Sequence, residues 1–308
     1  MTLFECFAGI GGFRLGLERA GFRCVGACEL DKYAATLYQA FYKTSQKGEY
    51  FENDIRQIKP ENLPNFDLLC GGFPCQAFSI AGKQRGFKDE RGVLFFELIR
   101  LARAKRPKIL FFENVKGLLS HEGGATFSYI LAEISQLGYS VEFAVLNSKD
   151  YGLPQHRERL FIIGILRGRS GGEILPILKE LAEAKNEARL QRLGTIGKDS
   201  QGSRVYDSKG LSITLKASGG GAGAKTGLYL VGQRVRRLTA KEALRVQGFS
   251  KPINRGLKFD DDLYKLAKSL NISDTQLYKM AGNAVSVSVI EAIAWALRAK
   301  FKGLQDEF

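Results

Sequence analysis

The sequence predicts an α/β fold: a doubly wound, mostly parallel sheet followed by a small domain of strands and loops. Three observations predict it. Residues 1–167 alternate short apolar runs with helical patterns, as strands and crossover helices do. A glycine-rich turn, Gly9-Ile10-Gly11-Gly12, joins the first run to the first helical pattern. After residue 168 the texture shifts to Gly, Ser, Thr, Lys and Arg, with little apolar content to build a core.

The elements follow in order. Residues 3–7 read as a strand and 12–20 as a helix ended by Gly21. Residues 22–29 read as a second strand, after which Asp31 caps a helix to about residue 41. The runs 66–70 and 109–113 are strands, with an apolar helix over 93–104 between them, and 141–146 and 160–166 close the series. Residues 168–172 form a linker, and 174–193 an amphipathic helix. Residues 194–232 read as short strands and loops, and 250–273 are weakly patterned. Thr239-Ala-Lys-Glu242 is a capping box that starts a helix through Val246. A final helix over 285–300 carries Val289, Ile290, Ile293, Trp295 and Ala296, an apolar set expected to dock on the first domain.

Composition narrows the partner. The chain has 308 residues, 46 Lys+Arg against 32 Asp+Glu and a formal net charge of +14, which points to a polyanion. No apolar run approaches the ~20 residues of a membrane span, and the N-terminus lacks the basic and cleavage regions of a signal peptide, so a cytoplasmic protein without membrane attachment is expected. The five cysteines (6, 24, 28, 70 and 75) show no zinc spacing and only His121 and His156 accompany them, so no metal site is expected. Cys6, Cys24 and Cys70 fall inside apolar strand patterns and read as core.

Residues 70–79 read Cys-Gly-Gly-Phe-Pro-Cys-Gln-Ala-Phe-Ser and carry the chemistry. An apolar run breaks at Gly71-Gly72, and Pro74 fixes the backbone just before Cys75, which puts a thiol at the mouth of a strand-to-loop turn. Glu113 ends the run 109–113 at the same sheet edge. Glu29 closes the second strand about twenty residues beyond the glycine turn, the usual place of a ribose-binding acid. One thiol, one acid and one glycine loop suggest covalent group transfer from a nucleotide-like cofactor.

Phe7-x-Gly9-x-Gly11, Pro74-Cys75-Gln76, Glu113-Asn114-Val115, Gln155-x-Arg157-x-Arg159 and Gly282-Asn283-x-Val285 occur in an order that resembles the cytosine-C5 DNA methyltransferase family, across nearly the whole chain. The resemblance implies the reaction and its residues. Cys75 would be the nucleophile toward cytosine C6, Glu113 the acid near N3, and Arg159, with Arg157, the holder of O2 and the adjoining backbone. A water or a side chain would take the C5 proton. The donor would be S-adenosylmethionine. Phe7 would pack on the adenine, Gly9, Gly11 and Gly12 would admit the methionine part, Glu29 would take the ribose, and Asp54 with Ile55 would meet the adenine edge. Phe73, Asn283 and Val285 would complete that pocket, and Leu30 stands where many relatives carry an aromatic residue.

The same resemblance implies double-stranded DNA as partner and a flipped base. The loop 76–92, with Gln76, Ser79, Lys83 and Arg91, would close over the phosphates. The segments containing Gln201, Arg204 and the run Gly219-Gly220-Gly221 resemble the recognition region of bacterial enzymes that modify the inner cytosine of GCGC. Gln201 would fill the hole left by the base and Arg204 would read a guanine. Ala81 departs from the serine of those enzymes. The implied organisation is a catalytic and cofactor-binding domain over 1–167, a target-recognition domain over 168–238, a hinge and connecting segment over 239–280, and a C-terminal helix over 281–308 that returns to the first domain. A restriction endonuclease acting separately would be the biological counterpart. A tRNA cytosine-C5 methyltransferase and a non-catalytic DNA-binding regulator are the alternatives on this scaffold; a nicotinamide dehydrogenase gives Cys75 no role.

Overall fold

The structure, a computed structural model, describes residues 1–74, 93–168, 187–217, 226–249 and 259–303. At its centre is a seven-stranded sheet of β1 (Thr2–Cys6), β2 (Arg23–Cys28), β3 (Tyr50–Glu52), β4 (Leu68–Gly72), β5 (Ile109–Val115), β6 (Tyr139–Asn147) and β7 (Glu158–Leu166). The strand order is β3-β2-β1-β4-β5-β7-β6. The first five strands run parallel, while β7 is antiparallel to both β5 and β6. The order reverses between β1 and β4, which opens a crevice at the carboxyl ends of these strands, where doubly wound sheets bind ligands.

Alternate residues of the central strands enter two cores, because a strand's side chains point to opposite faces. Phe4, Leu69, Leu110, Phe112 and Ile162 face α3 (Val93–Lys105) and α4 (Ala125–Gln136). Leu3, Leu68, Ile109, Phe111 and Ile163 face α1 (Gly12–Arg19) and the long C-terminal helix (Val287–Gly303). That last helix docks as its apolar pattern requires, with Val289, Ile290 and Ile293 buried; Trp295, expected on the same face, is instead 51% exposed and lies beside Arg298. Helix α2 (Lys32–Tyr42) joins β2 to β3, and α5 (Ala240–Val246), α6 (Phe259–Ser269) and α7 (Asp274–Asn283) precede the C-terminal helix, α8. Asp31 accepts from the backbone of Tyr33 and Ala34 at the start of α2, and the Thr239–Glu242 box opens α5. Apolar residues of α5–α7 pack on Ile10, Leu15, Ala34 and Leu37; residues 250–258 lie outside the described residues. The stretch Asp274–Phe301 is long and apolar enough to cross a membrane by length and composition, but it contains the break between α7 and α8 and 67% of its apolar window is buried, as in a core helix.

The second sheet has the order β11-β10-β9-β8, from β8 (Arg192–Thr195), β9 (Arg204–Asp207), β10 (Leu228–Val231) and β11 (Arg234–Arg236). Its core is small, centred on Tyr206, Ile213 and Tyr229. The helix expected over 174–193 is corrected at its end: residues 187–191 have no regular structure, and Arg192 pairs across to Tyr206 in β9. Gly194 disfavours a helix there, and pairing with β9 outweighs the local amphipathic pattern. Residues 174–186 lie outside the described residues.

A fully buried carboxyl sits in the central sheet itself. Glu5 is fully buried; its Oε1 accepts from the Arg14 backbone N–H at 3.2 Å and its Oε2 from the Tyr38 hydroxyl at 3.0 Å. Burial pushes its carboxyl up to about 8, against the pull of the hydrogen bonds from Arg14 and Tyr38. The folded chain therefore holds this proton more tightly than the unfolded chain. Its contribution to stability is complete below the unfolded carboxyl's range and is lost as pH rises toward about 8, at no more than ~1.4 kcal/mol per pH unit. Glu5→Gln is expected to gain stability relative to the parent in denaturant titrations as pH rises from about 5 to about 8. A difference independent of pH would remove Glu5 from the linkage.

Candidate active site

A cavity of about 360 Å³ opens at the carboxyl ends of β1, β2, β4 and β5. Each strand contributes the residues just past its end: Phe7, Ala8 and Gly9 after β1, Glu29 and Asp31 after β2, and Gly72, Phe73 and Pro74 where β4 stops. Glu113, Asn114 and Val115 line it from the end of β5. Because β7 runs antiparallel, its beginning reaches the same edge and supplies Arg159, with Arg157 just before it. Lys279, Met280, Asn283 and Val285 close the wall from α7 and the turn into α8.

The loop after β1 is held in an unusual shape. Phe7 sits at φ 54, a conformation rare for a bulky L-residue and associated with functional loops. The Gly9 N–H donates to Glu29 Oε2 at 2.7 Å, and the Asp31 N–H donates to Glu29 Oε1 at 2.8 Å. Each carboxylate oxygen thus fixes one loop and keeps a lone pair for a ligand hydroxyl. Burial raises the Glu29 carboxyl's affinity for a proton, and these two backbone donors oppose it. Gly11 lies at φ 79 against Tyr42, whose ring would stand 2.4 Å from an added Cβ. Its glycine is required by that packing, and it does not line the cavity.

Three other expected cofactor residues also lie off the cavity wall. Asp54 is bound bidentately by Arg56, through Nε at 3.0 Å and a terminal nitrogen at 2.7 Å, and this pairing holds its carboxyl below the usual range. Ile55 is buried, and its carbonyl accepts from Arg100 at 3.0 Å. Leu30 is 63% exposed. Phe7, Gly9, Gly12, Glu29, Phe73, Asn283 and Val285 do line the cavity. An aromatic wall, a hydroxyl-accepting carboxylate and side-chain-free backbone at Gly9 and Gly12 fit a nucleoside-bearing donor.

The chemical end of the cavity is built around Glu113. Its Oε1 accepts from Arg159 Nε at 3.0 Å, and Gly72, its register partner on β4, leaves room for Oε2 where a Cβ would stand only 3.0 Å away. Burial pushes the Glu113 carboxyl up, while the charges of Arg159 and Arg157 oppose that shift. Asn114, whose individual role the sequence did not reveal, donates from Nδ2 to the Phe73 carbonyl at 2.9 Å. It thereby ties the end of β5 to the turn that leads to position 75. Pro74 lines the cavity, and Cys75 is the next residue in the chain. Cys75 itself lies outside the described residues, as do Gln76, Ser79, Lys83, Arg91, Gly219 and Gly220.

Arg157 is an internal bolt. It is 2% exposed, and its terminal nitrogens donate to the carbonyls of Leu215 at 3.0 Å, Gly282 at 3.0 Å and Ala284 at 2.9 Å. Its guanidinium is therefore committed to backbone, apart from Nε, which has no partner among the described residues. Burial lowers its pKa to about 9, aided by the Arg159 charge and opposed by Glu113. Gln155 acts alongside it: Oε1 accepts from Leu215 N–H at 2.9 Å, and Nε2 donates to the Val246 carbonyl and Gln247 Oε1, both at 3.3 Å. Gln155 and Arg157 thus join the start of β7 to residue 215, to the end of α5 and to the turn between α7 and α8. Arg159 is the member of Gln155-x-Arg157-x-Arg159 that faces the acid.

The second sheet is attached close to this hub. Lys216 follows Leu215, and its Nζ donates to Gln201 Oε1 at 2.8 Å. The Lys216 carbonyl carbon would lie 2.3 Å from a Cβ at Gly282, so only glycine allows this close approach. Arg204 donates from Nε to Asp199 Oδ1 at 2.8 Å.

This combination of fold and site has known counterparts. Residues 1–207 and 177–299 match the profile of the C-5 cytosine-specific DNA methylase family. The Type II methyltransferase M.HhaI of Haemophilus parahaemolyticus is 40% identical over 96% of this chain and 93% of its own. M.NgoBI of Neisseria gonorrhoeae, also named a Type II methyltransferase, is 40% identical over 94% of this chain and 90% of its own. Among solved structures, the S. pombe Dnmt2 methyltransferase shares the fold with a TM-score of 0.71 over 99% of both chains, at 15% identity. The chain belongs to the C-5 cytosine-specific DNA methylase family. Within it, the protein is a DNA cytosine-C5 methyltransferase of the Type II, restriction–modification kind.

Proposed function

We propose that this enzyme methylates the inner cytosine of GCGC in duplex DNA, through transient covalent addition of Cys75 to a flipped base. The observation that carries the reading is the Glu113–Arg159 pair on the wall of the cavity that Pro74 also lines.

Cytosine C5 is a weak nucleophile, and addition of a thiolate at C6 makes it enamine-like. Cys75 supplies the sulfur. Glu113, whose carboxyl is pushed toward its protonated form, donates to N3 as negative charge grows on the ring. Arg159 reaches O2 from the other side of the same pair. S-adenosylmethionine, when bound, would supply an electrophilic methyl on a sulfonium; Phe7, Glu29 and the backbone at Gly9 and Gly12 line the cavity that would hold it. A water or a side chain then takes the C5 proton, and the electrons of the C5–H bond restore the double bond as the Cys75 sulfur leaves.

The target carbon lies inside a duplex, so the base is extruded at a cost of a few kcal/mol. Gln201 fills the vacated space and Arg204 reads a guanine by N7 and O6. The hydrogen bond from Lys216 to Gln201, with the Lys216 backbone packed on the cavity-lining Gly282, supports this assignment. Residues 1–167 carry the chemistry, 168–238 carry recognition, and the helices from 239 onward hold the two together.

Bisulfite sequencing of a plasmid modified in cells tests the reading. Protection at the inner cytosine of every GCGC is expected, and protection in any other context rejects the site. Labelled methyl appearing in tRNA and not in DNA would favour the alternative substrate. Gln201→Ala is expected to weaken formation of the flipped complex, followed by 2-aminopurine fluorescence, about tenfold, while single-turnover methyl transfer slows far less. Unchanged affinity for the target duplex contradicts the filling role.

A further inference from the structure

The hairpin of β8 and β9 carries a charge arrangement that the methyl-transfer chemistry does not use. Asp199 Oδ1 accepts from Arg204 Nε at 2.8 Å, and its Oδ2 accepts from an Arg192 terminal nitrogen at 3.0 Å. The same Arg192 nitrogen donates to Thr195 Oγ1 at 2.6 Å. The loop that presents Asp199 is closed on itself. Ile196 N–H donates to the Ser203 carbonyl at 2.9 Å, Ser200 N–H donates to Ser203 Oγ at 2.9 Å, and Ser203 Oγ donates to the Lys198 carbonyl at 2.6 Å. The carboxylate therefore sits at a fixed point in the turn that also carries Gln201.

The three side chains are between 38% and 50% exposed. Ion pairs in such positions contribute little to stability. Their physical effect here is orientation. A guanidinium can present two parallel donors side-on, through Nε and one terminal nitrogen, or end-on, through both terminal nitrogens. A carboxylate on Nε occupies the side-on edge. The Tyr206 hydroxyl also interacts with the Arg204 guanidinium; the edge that faces a base is the end-on pair, which matches guanine N7 and O6.

We propose that Asp199 is a positioning residue for sequence readout: it holds Arg204 by Nε so that the two terminal nitrogens meet a guanine end-on, and it keeps Arg192 on the opposite oxygen, away from that guanine. The inference rests on Arg204 being the guanine contact. The carboxylate also discourages either arginine from settling on an arbitrary phosphate, so it sharpens specificity from both sides.

The test measures kcat/KM on cognate duplexes carrying guanine or 7-deazaguanine at each guanine position in turn, together with non-cognate duplex binding across a salt series. The parent enzyme is expected to lose roughly tenfold or more at the position Arg204 reads, and Arg204→Ala to lose that dependence. Asp199→Ala and Asp199→Asn are expected to cut the guanine preference roughly tenfold and to tighten non-cognate binding a few-fold, with a steeper salt dependence and an unchanged melting temperature. Asp199→Glu restores part of the preference. If the Asp199 variants keep the parent's preference while Arg204→Ala loses it, the positioning role is overturned and the Arg204 reading stands. If the parent shows no dependence on guanine N7 at any position, both fall.

Discussion

Cys75→Ser is expected to abolish methyl transfer, with a loss of roughly 10⁴-fold or more in kcat/KM, while affinity for the cognate duplex changes only a few-fold. A hydroxyl in the same place stays un-ionised at neutral pH and cannot add to C6, whereas a thiol has an accessible anion. In the proposed reading recognition rests on other atoms, Gln201 and Arg204, and Gln201 is joined through Lys216 and Leu215 to Arg157. The measurement is labelled-methyl incorporation beside gel-shift titration of the same duplex. Turnover within tenfold of the parent would remove Cys75 from the mechanism.

Glu113→Gln has the second-largest expected effect, a loss of roughly 10²- to 10⁴-fold in the chemical step. The pH dependence discriminates its role from mere packing. Burial raises the Glu113 carboxyl's affinity for a proton, with Arg159 and Arg157 pulling the other way, so the protonated form extends to higher pH than for an exposed glutamate. An acid is active only while protonated. The parent's chemical step should therefore decline on the alkaline side of the Glu113 titration, and the glutamine variant should lose that limb, because its amide neither gains nor loses a proton there. Single-turnover rates across pH give the answer. An alkaline limb that survives in Glu113→Gln would assign it to another group.

Much of this site was legible in the sequence, for a physical reason. Strands buried on both faces must be apolar at nearly every position, so Gly71-Gly72 and the acid at Glu113 stand out near the strand ends, although β4 continues through Gly72 and β5 through Val115. Caps are equally local: Asp31 and Thr239 act on residues two or three positions away. Arg157 shows the limit. Its partners lie 58, 125 and 127 residues along the chain, and no local pattern reveals that its donors go to the carbonyls of Leu215, Gly282 and Ala284. Asp54 shows a local pairing instead, with Arg56 two residues on holding its carboxylate. The helices α4, α6 and α7 carry no clear apolar period because Thr, Ser, Tyr and Asp dilute it, so tertiary burial of Phe127, Ile130, Leu263, Ala267, Leu277 and Met280 stabilises them more than propensity does. The Asp199 clamp depends on a hairpin register that pairs Thr195 with Arg204, and register of a short strand is set by its neighbours.

The central claim is a sulfur–carbon bond between this chain and a flipped cytosine. A duplex carrying 5-fluorocytosine at the target, incubated with the enzyme and S-adenosylmethionine, tests it directly, because fluorine at C5 cannot leave as a proton does and halts the reaction before the sulfur departs. A stable protein–DNA adduct is predicted, with peptide mass spectrometry placing the linkage on Cys75. Methylation of the unmodified duplex without any such adduct, or an adduct mapped to another residue, would contradict the account.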